Sequence, residues 1–173
     1  IRAHYDNWTG NGTDDCPEDI KALLPGVNLI LALSEKYSAI CMNPPYMGSS
    51  HMDGVLKNYV LKVYPLTKYD MFAVFMDISR NRIANNAKYG MINMQNWMFL
   101  VSYKKMREKL LENLQIDSML HLGPNLFDEL GGEVVQSTSF IITNQIPTAK
   151  SNCSYFRLVD GINCADKEQM FLS

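Results

Sequence analysis

Tyr37-Ser38-Ala39-Ile40-Cys41-Met42-Asn43-Pro44-Pro45-Tyr46 is the stretch from which the fold of this chain can be read. Its first six residues have the short, apolar character of a buried strand, and two consecutive prolines then stop it. A proline has no N–H for a sheet ladder and its φ is locked at about −65°, so Asn43 must open a stiff, extended turn. In an open α/β sheet a ligand sits beyond the carboxyl ends of the strands, which is where this turn falls. With each residue type at about 5% usage, a preset tetrapeptide arises by chance on the order of once per thousand chains of this length.

The rest of the pattern extends outward from that strand. Upstream, a polar, turn-rich segment leads from Thr9 to Asp15, and a short helix is expected from there to Pro25-Gly26, followed by a second helical run containing Leu29, Ile30 and Leu33. Gly10-x-Gly12 follows no apolar strand and opens no helix directly, so it reads as a plain loop. Downstream, a Gly/Ser/His loop that reads as mobile precedes a mixed stretch, Tyr59 to Tyr64, broken by Pro65. Asp70 is suited to cap a long helix with Met71, Phe75 and Ile78 on one stripe.

Tyr89 to Met94 reads as a second strand. A helix capped by Ser102 follows, with Tyr103, Met106, Leu110 and Leu114 on one face. Ile116 to Leu122 is the third strand, and the β-branched run Val134 to Thr143 is the fourth. Alternating strands and helices closing on two successive strands predict an α/β fold, a parallel sheet ending in an antiparallel hairpin. Ser154 to Val159 adds a further strand or begins another domain.

Composition narrows the function classes. The chain has 173 residues, 47% hydrophobic and 20% charged, which fits one folded domain and disfavours disorder. Sixteen Lys and Arg against eighteen Asp and Glu give a net charge of −2, too balanced to indicate a nucleic-acid or membrane partner from bulk charge. No apolar run is long enough for a bilayer span and no signal peptide is legible, so the expected location is cytoplasmic with no membrane partner. Cys16, Cys41, Cys153 and Cys164 form no C-x-x-C pair, and His4, His51 and His121 share no ligand spacing, so neither disulfide nor metal is expected. The chain starts at Ile1 and reads as a piece of a longer protein.

The chemistry sits in the diproline turn. The Pro44 carbonyl is a preset acceptor, Asn43 adds an amide oxygen beside it, and Tyr46 adds a flat ring with a polar tip. Two acceptors and a stacking ring suit an exocyclic amino group on a planar base. Such an NH2 is a poor nucleophile because its lone pair is delocalised, and accepting both of its hydrogens bends nitrogen toward tetrahedral geometry and frees the pair. With Met42 before Asn43 and no Pro-Cys pair, attack through a cysteine nucleophile is disfavoured. The plainer alternative is that Pro44-Pro45 only ends a strand while Tyr46 packs on the sheet edge.

Asn43-Pro44-Pro45-Tyr46 resembles motif IV of the amino-group methyltransferases that use S-adenosylmethionine, in particular the N6-adenine DNA methyltransferases. Further likenesses lie in Tyr46-Met47-Gly48, Tyr69-Asp70-Met71-Phe72-x-x-Phe75, Gly90 through Phe99, and Ser102-Tyr103-x-x-Met106-Arg107. Together these resemble the large single-chain adenine methylases of restriction-modification and BREX-type phage-exclusion systems, over roughly Asp15 to Asn144.

The resemblance implies the catalytic-loop part of a DNA adenine N6-methyltransferase and a partial Rossmann-like S-adenosylmethionine-dependent methyltransferase fold, here its C-terminal half. A flipped adenine would stack on Tyr46, with Asn43 and the Pro44 carbonyl on its amino group and Pro45 lining the site. Phe127, at the end of Leu122-Gly123-Pro124-Asn125-Leu126-Phe127, is the expected second stacking residue, and Lys57 is a candidate contact to the backbone of double-stranded DNA. Nothing before Asn43 matches the family's glycine-rich cofactor motif or its acidic ribose ligand. Most of the S-adenosylmethionine site is therefore expected upstream of this chain, and the DNA-reading domain beyond Ser173. The expected division is a polar entry segment with short helices over 1–36, the catalytic half over 37–145, and a tail or the start of a following domain over 146–173. A glutamine side chain or an RNA base offers the same kind of NH2 and stays open as a substrate, as does a silent scaffolding or interaction role.

Overall fold

The computed structural model describes residues 18–126 and 135–173 and divides the chain into two compact units, Ile1–Lys36 and Tyr37–Ser173. In the first unit one helix, α1 (Glu18–Ser34), runs straight through Pro25, where the sequence suggested a break between two short helices. Pro25 costs that helix a backbone hydrogen bond. The flanking Leu23, Leu24, Leu31 and Ala32 are strong helix formers that carry it across.

The second unit is built on a five-stranded mixed sheet: β1 (Tyr37–Met42), β2 (Ile83–Met94), β3 (Gln115–Gly123), β4 (Ser137–Thr143) and β5 (Ser154–Arg157). Their order is β1-β2-β4-β3-β5. β1 runs parallel to β2, while β4 lies between β2 and β3 and is antiparallel to both. The closing hairpin is therefore inserted into the sheet rather than added at its edge. β5 pairs parallel to β3, so part of the 146–173 segment belongs to the same sheet.

Helices α2 (Gly54–Val63) and α3 (Met71–Arg82) connect β1 to β2. A short helix α4 (Asn96–Phe99), a 3-10 turn (Val101–Tyr103) and α5 (Lys104–Asn113) connect β2 to β3, and α6 (Cys164–Leu172) follows β5. Asp53 starts α2 by accepting the Leu56 N–H at 2.8 Å, and the helix stops before Tyr64-Pro65, where the coming proline disfavours helical backbone. Asp70 caps α3 as its position suggested. Ser102 does not cap α5, because it lies within the 3-10 turn and the helix begins two residues later without a side-chain cap.

The core forms where the sheet meets α3 and α5. Tyr103, Met106, Leu110 and Leu114 are buried as one stripe against Tyr89, Met91, Phe140 and Ile142. On α3 the buried residues are Phe72, Ala73, Val74, Met76 and Ser79, rather than the Met71-Phe75-Ile78 stripe. The reason is two-sided burial. Phe72, Ala73 and Met76 face the sheet core, while Val74, with Met71 and Ile78, packs on Met52 and Val60 from the other side. Such burial is worth roughly 1.5–3 kcal/mol per large side chain and makes α3 a fixed part of the scaffold.

Gly123 ends β3 with φ +66°, where an added Cβ would lie 2.9 Å from Val159 Cγ1. Only glycine suits both that backbone and that contact. β1 differs from the other strands. Among the described residues it pairs with β2 alone, and Tyr37, Ser38, Ala39 and Cys41 are exposed despite their buried-strand character.

Candidate active site

The diproline turn leaves β1 at its carboxyl end, beside the parallel strand β2, as the sequence suggested. Pro44 is buried and fixes the turn to the sheet, Asn43 and Pro45 are exposed, and Tyr46 is half-buried. The Tyr46 hydroxyl donates to Asn43 Oδ1 at 3.1 Å and lies 3.5 Å from the Ile92 carbonyl of β2. Burial raises the Tyr46 phenol above its usual pKa, so it stays a neutral donor. An amide oxygen has two lone pairs, so Asn43 Oδ1 can take the Tyr46 hydroxyl and still accept from an amine. No donor among the described residues bonds the Pro44 carbonyl, which leaves a second acceptor beside the first.

Tyr46 is supported from behind by an aromatic row. Its ring meets Phe72 edge-on at 6.5 Å, Phe72 meets Tyr103 at 6.0 Å, and Tyr103 meets Tyr69 at 5.7 Å. Phe72 and Tyr103 are buried, so the base of this row belongs to the core. Tyr46 therefore has an orientation set on one side by Asn43 and Ile92 and on the other by Phe72.

The segment after the turn, expected to be a mobile loop, is pinned at its start. Met47 N–H donates to Asp70 Oδ1 at 3.0 Å, Met71 N–H to the Met47 carbonyl at 3.0 Å, and Ser49 N–H to the Tyr69 carbonyl at 2.9 Å. Burial raises the Asp70 carboxyl pKa, opposed by the bonds from Phe72, Met47 and Met71 and by His51.

Sequence reading saw Asp70 only as a helix cap. Its second partner lies 23 residues away, a distance at which no local pattern carries a signal. Lys57 is exposed on α2. Phe127 lies outside the described residues.

A polar rim stands at the carboxyl end of β2. Gln95 N–H donates to the Gln136 carbonyl at 2.8 Å, the two side-chain amides bond each other, and His121 Nε2 bonds Gln95 Oε1. The Phe99 ring lies 5.5 Å from the His121 ring. Buried Asn93 accepts the Trp97 indole N–H at 3.1 Å and fixes α4 to β2 beneath this rim. Oδ1 of the exposed Asn43 is open to a donor presented from outside the sheet. No glycine-rich turn following a strand occurs among the described residues.

A family model described as Eco57I restriction-modification methylase matches residues 4–127. Adenine-specific methyltransferase PglX of Lacticaseibacillus casei (strain Zhang) is 42% identical over 142 residues, which is 82% of this chain and 12% of that protein. The chain thus spans about an eighth of that relative's length. Among solved structures, the ATP-dependent Type ISP restriction-modification enzyme LlaBIII bound to DNA matches with TM-score 0.60 at 15% identity, over 84% of this chain and 12% of that one. A Listeria monocytogenes protein assigned to the class I S-adenosylmethionine-dependent methyltransferases matches with TM-score 0.57 at 9% identity, over 81% of this chain and 42% of that one. These two likenesses bear on the fold alone, and agree with a Rossmann-like methyltransferase sheet.

Proposed function

The chain belongs to the Eco57I restriction-modification methylase family, and on that premise we propose that the protein containing it methylates adenine N6 in double-stranded DNA. The reading rests above all on the pair of acceptors at the end of β1, the Pro44 carbonyl and Oδ1 of the exposed Asn43. The fold likeness to a restriction-modification enzyme bound to DNA supports the choice of partner. Such a substrate puts the working protein in the cytoplasm.

The adenine is flipped out of the duplex so that its amino group comes within reach. Tyr46 stacks on the ring and Pro45 lines the site beside it. The two amine hydrogens donate to Asn43 Oδ1 and the Pro44 carbonyl, and nitrogen regains a directed lone pair. S-adenosylmethionine, bound mainly by parts of the protein outside this chain, supplies the electrophilic methyl carbon. Lys57, exposed on α2, holds the DNA backbone as a mobile point charge. Phe127 is the candidate for a second wall of the base pocket. Among the described residues β1 is an edge strand, which supports the division of labour, since strands from elsewhere in the protein can pair there and bring the cofactor half alongside.

Asn43→Ala in the full-length protein tests the reading, with label from S-adenosylmethionine counted in unmodified DNA. A loss of roughly 100-fold or more in rate is expected when one preorganised partner is removed. Near-normal methylation by that variant, or label appearing in protein or RNA instead of DNA, overturns the assignment.

A further inference from the structure

A helix cap needs one side-chain acceptor for one free N–H of the first turn. Asp70 provides that acceptor to Phe72 N–H at 3.2 Å, and the same oxygen, Oδ1, also takes Met47 N–H at 3.0 Å. Capping does not call for this second bond, which joins the start of α3 to the residue immediately after Tyr46. Around it Gly48 and Asp70 form an antiparallel bridge, flanked by the bonds from Met71 N–H to the Met47 carbonyl and from Ser49 N–H to the Tyr69 carbonyl. The chain leaving the diproline turn is therefore tied to a helix whose own first turn carries Phe72, the ring that backs Tyr46.

We propose that Asp70 is a positioning residue for methyl transfer, in which one carboxylate oxygen caps α3 and fixes the exit of the amine-holding turn, so that the Tyr46 ring keeps a fixed place over the base. The proposal deepens the function assigned above and rests on it. The rigid path runs from the sheet core through Phe72, Ala73 and Met76 into α3, across Asp70 to Met47, and so to Tyr46. Asn43 holds the front of the Tyr46 ring and Phe72 its back, while Asp70 holds the backbone on which the ring stands. Without that carboxylate bond the exit of the turn keeps only the backbone bonds between Met47 and Met71 and between Ser49 and Tyr69, and loses the one that holds Met47 N–H next to Tyr46. The stacking ring and the two acceptors then no longer hold a common geometry, and misplacement on the scale of 1 Å is known to cost about 100-fold in rate.

The test uses the full-length protein and three substitutions. Asp70→Ser keeps a cap, because a serine hydroxyl on the shorter side chain still accepts from the first turn of α3, but it no longer reaches Met47 N–H. Asp70→Asn keeps an amide oxygen where Oδ1 stands and can accept both bonds. Asp70→Ala removes both.

D70S is expected to keep a melting temperature closer to that of the wild type than D70A does. Its kcat for methylation of unmodified DNA should fall roughly 10- to 100-fold with KM for S-adenosylmethionine unchanged. D70N is expected to recover most of that rate.

Amide hydrogen exchange at residues 47–49, measured below all the melting temperatures, is expected to speed up in D70S and D70A but not in D70N. Wild-type exchange at Met47 in D70S, or wild-type kcat in D70S, overturns the proposal. A wild-type protein that does not methylate DNA overturns the functional reading instead, and the exchange result still decides whether Asp70 fastens the turn.

Discussion

The hydroxyl of Tyr46 reaches back three residues to donate to Asn43 Oδ1 at 3.1 Å, so the stacking ring and the amide acceptor of the candidate site are held by one another. Tyr46→Phe and Tyr46→Ala separate the two roles of this residue. The first keeps the ring and its contact with Phe72 and loses about 1 kcal/mol of net hydrogen bonding, so a rate within about tenfold of wild type is expected. The second also removes the stacking platform, worth roughly 1–3 kcal/mol per base, and its larger loss should appear in DNA binding as well as rate. Steady-state methylation with a DNA titration checks both, and equal behaviour of the two variants would contradict this division.

Asn93 is fully buried, with its amide between the Trp97 indole and the Met91 sulfur. Asn93→Ala opens a small cavity and leaves the Trp97 N–H without its acceptor. A loss of roughly 1–3 kcal/mol is expected from the unsatisfied donor alone, read from chemical denaturation. An unchanged midpoint would show that the indole finds another partner.

Gly123→Ala places a methyl group 2.9 Å from Val159 Cγ1 on a backbone with φ +66°. Strain of about 1–3 kcal/mol is expected, lowering the melting temperature by several degrees. Gly90→Ala is the control, since its Cβ would meet nothing nearer than 3.7 Å and its φ is ordinary.

His121 is held below its ordinary pKa of 6.5, first by burial and then by the charge of Arg157, its partner on β5. The folded chain therefore keeps His121 neutral where the unfolded chain has begun to protonate it. This contribution to stability is complete above the ordinary value and is lost as pH falls through the lowered one. Melting temperature measured across the acidic side of neutrality should fall more steeply for wild type than for His121→Gln. Parallel curves would remove His121 as the cause.

What could be read in the sequence was local. Asn43-Pro44-Pro45-Tyr46 was legible because proline dictates its own φ and forbids both a ladder bond and a helix. The Tyr103-Met106-Leu110-Leu114 stripe was legible because one helix face is apolar at helical spacing, and Asp70 because a cap signal lies next to its helix. What escaped depended on partners distant in the chain. The two-sided burial of α3 needs α2 on one flank and the sheet on the other, so a single-stripe reading misjudged which residues lie deepest. The insertion of β4 between β2 and β3 is a matter of strand order, set by pairing between distant segments, and the bond from Met47 to Asp70 spans 23 residues. α2 has a mixed composition that conceals a helix, and α1 runs across a proline that ordinarily marks a boundary.

The place of β1 at the rim of the sheet among the described residues also bears on handling. An apolar edge strand is a template for another chain, so this chain made alone is prone to stick to copies of itself, edge against edge. Charged residues introduced at the outward positions Ser38 or Cys41 would blunt that tendency without touching the turn that follows.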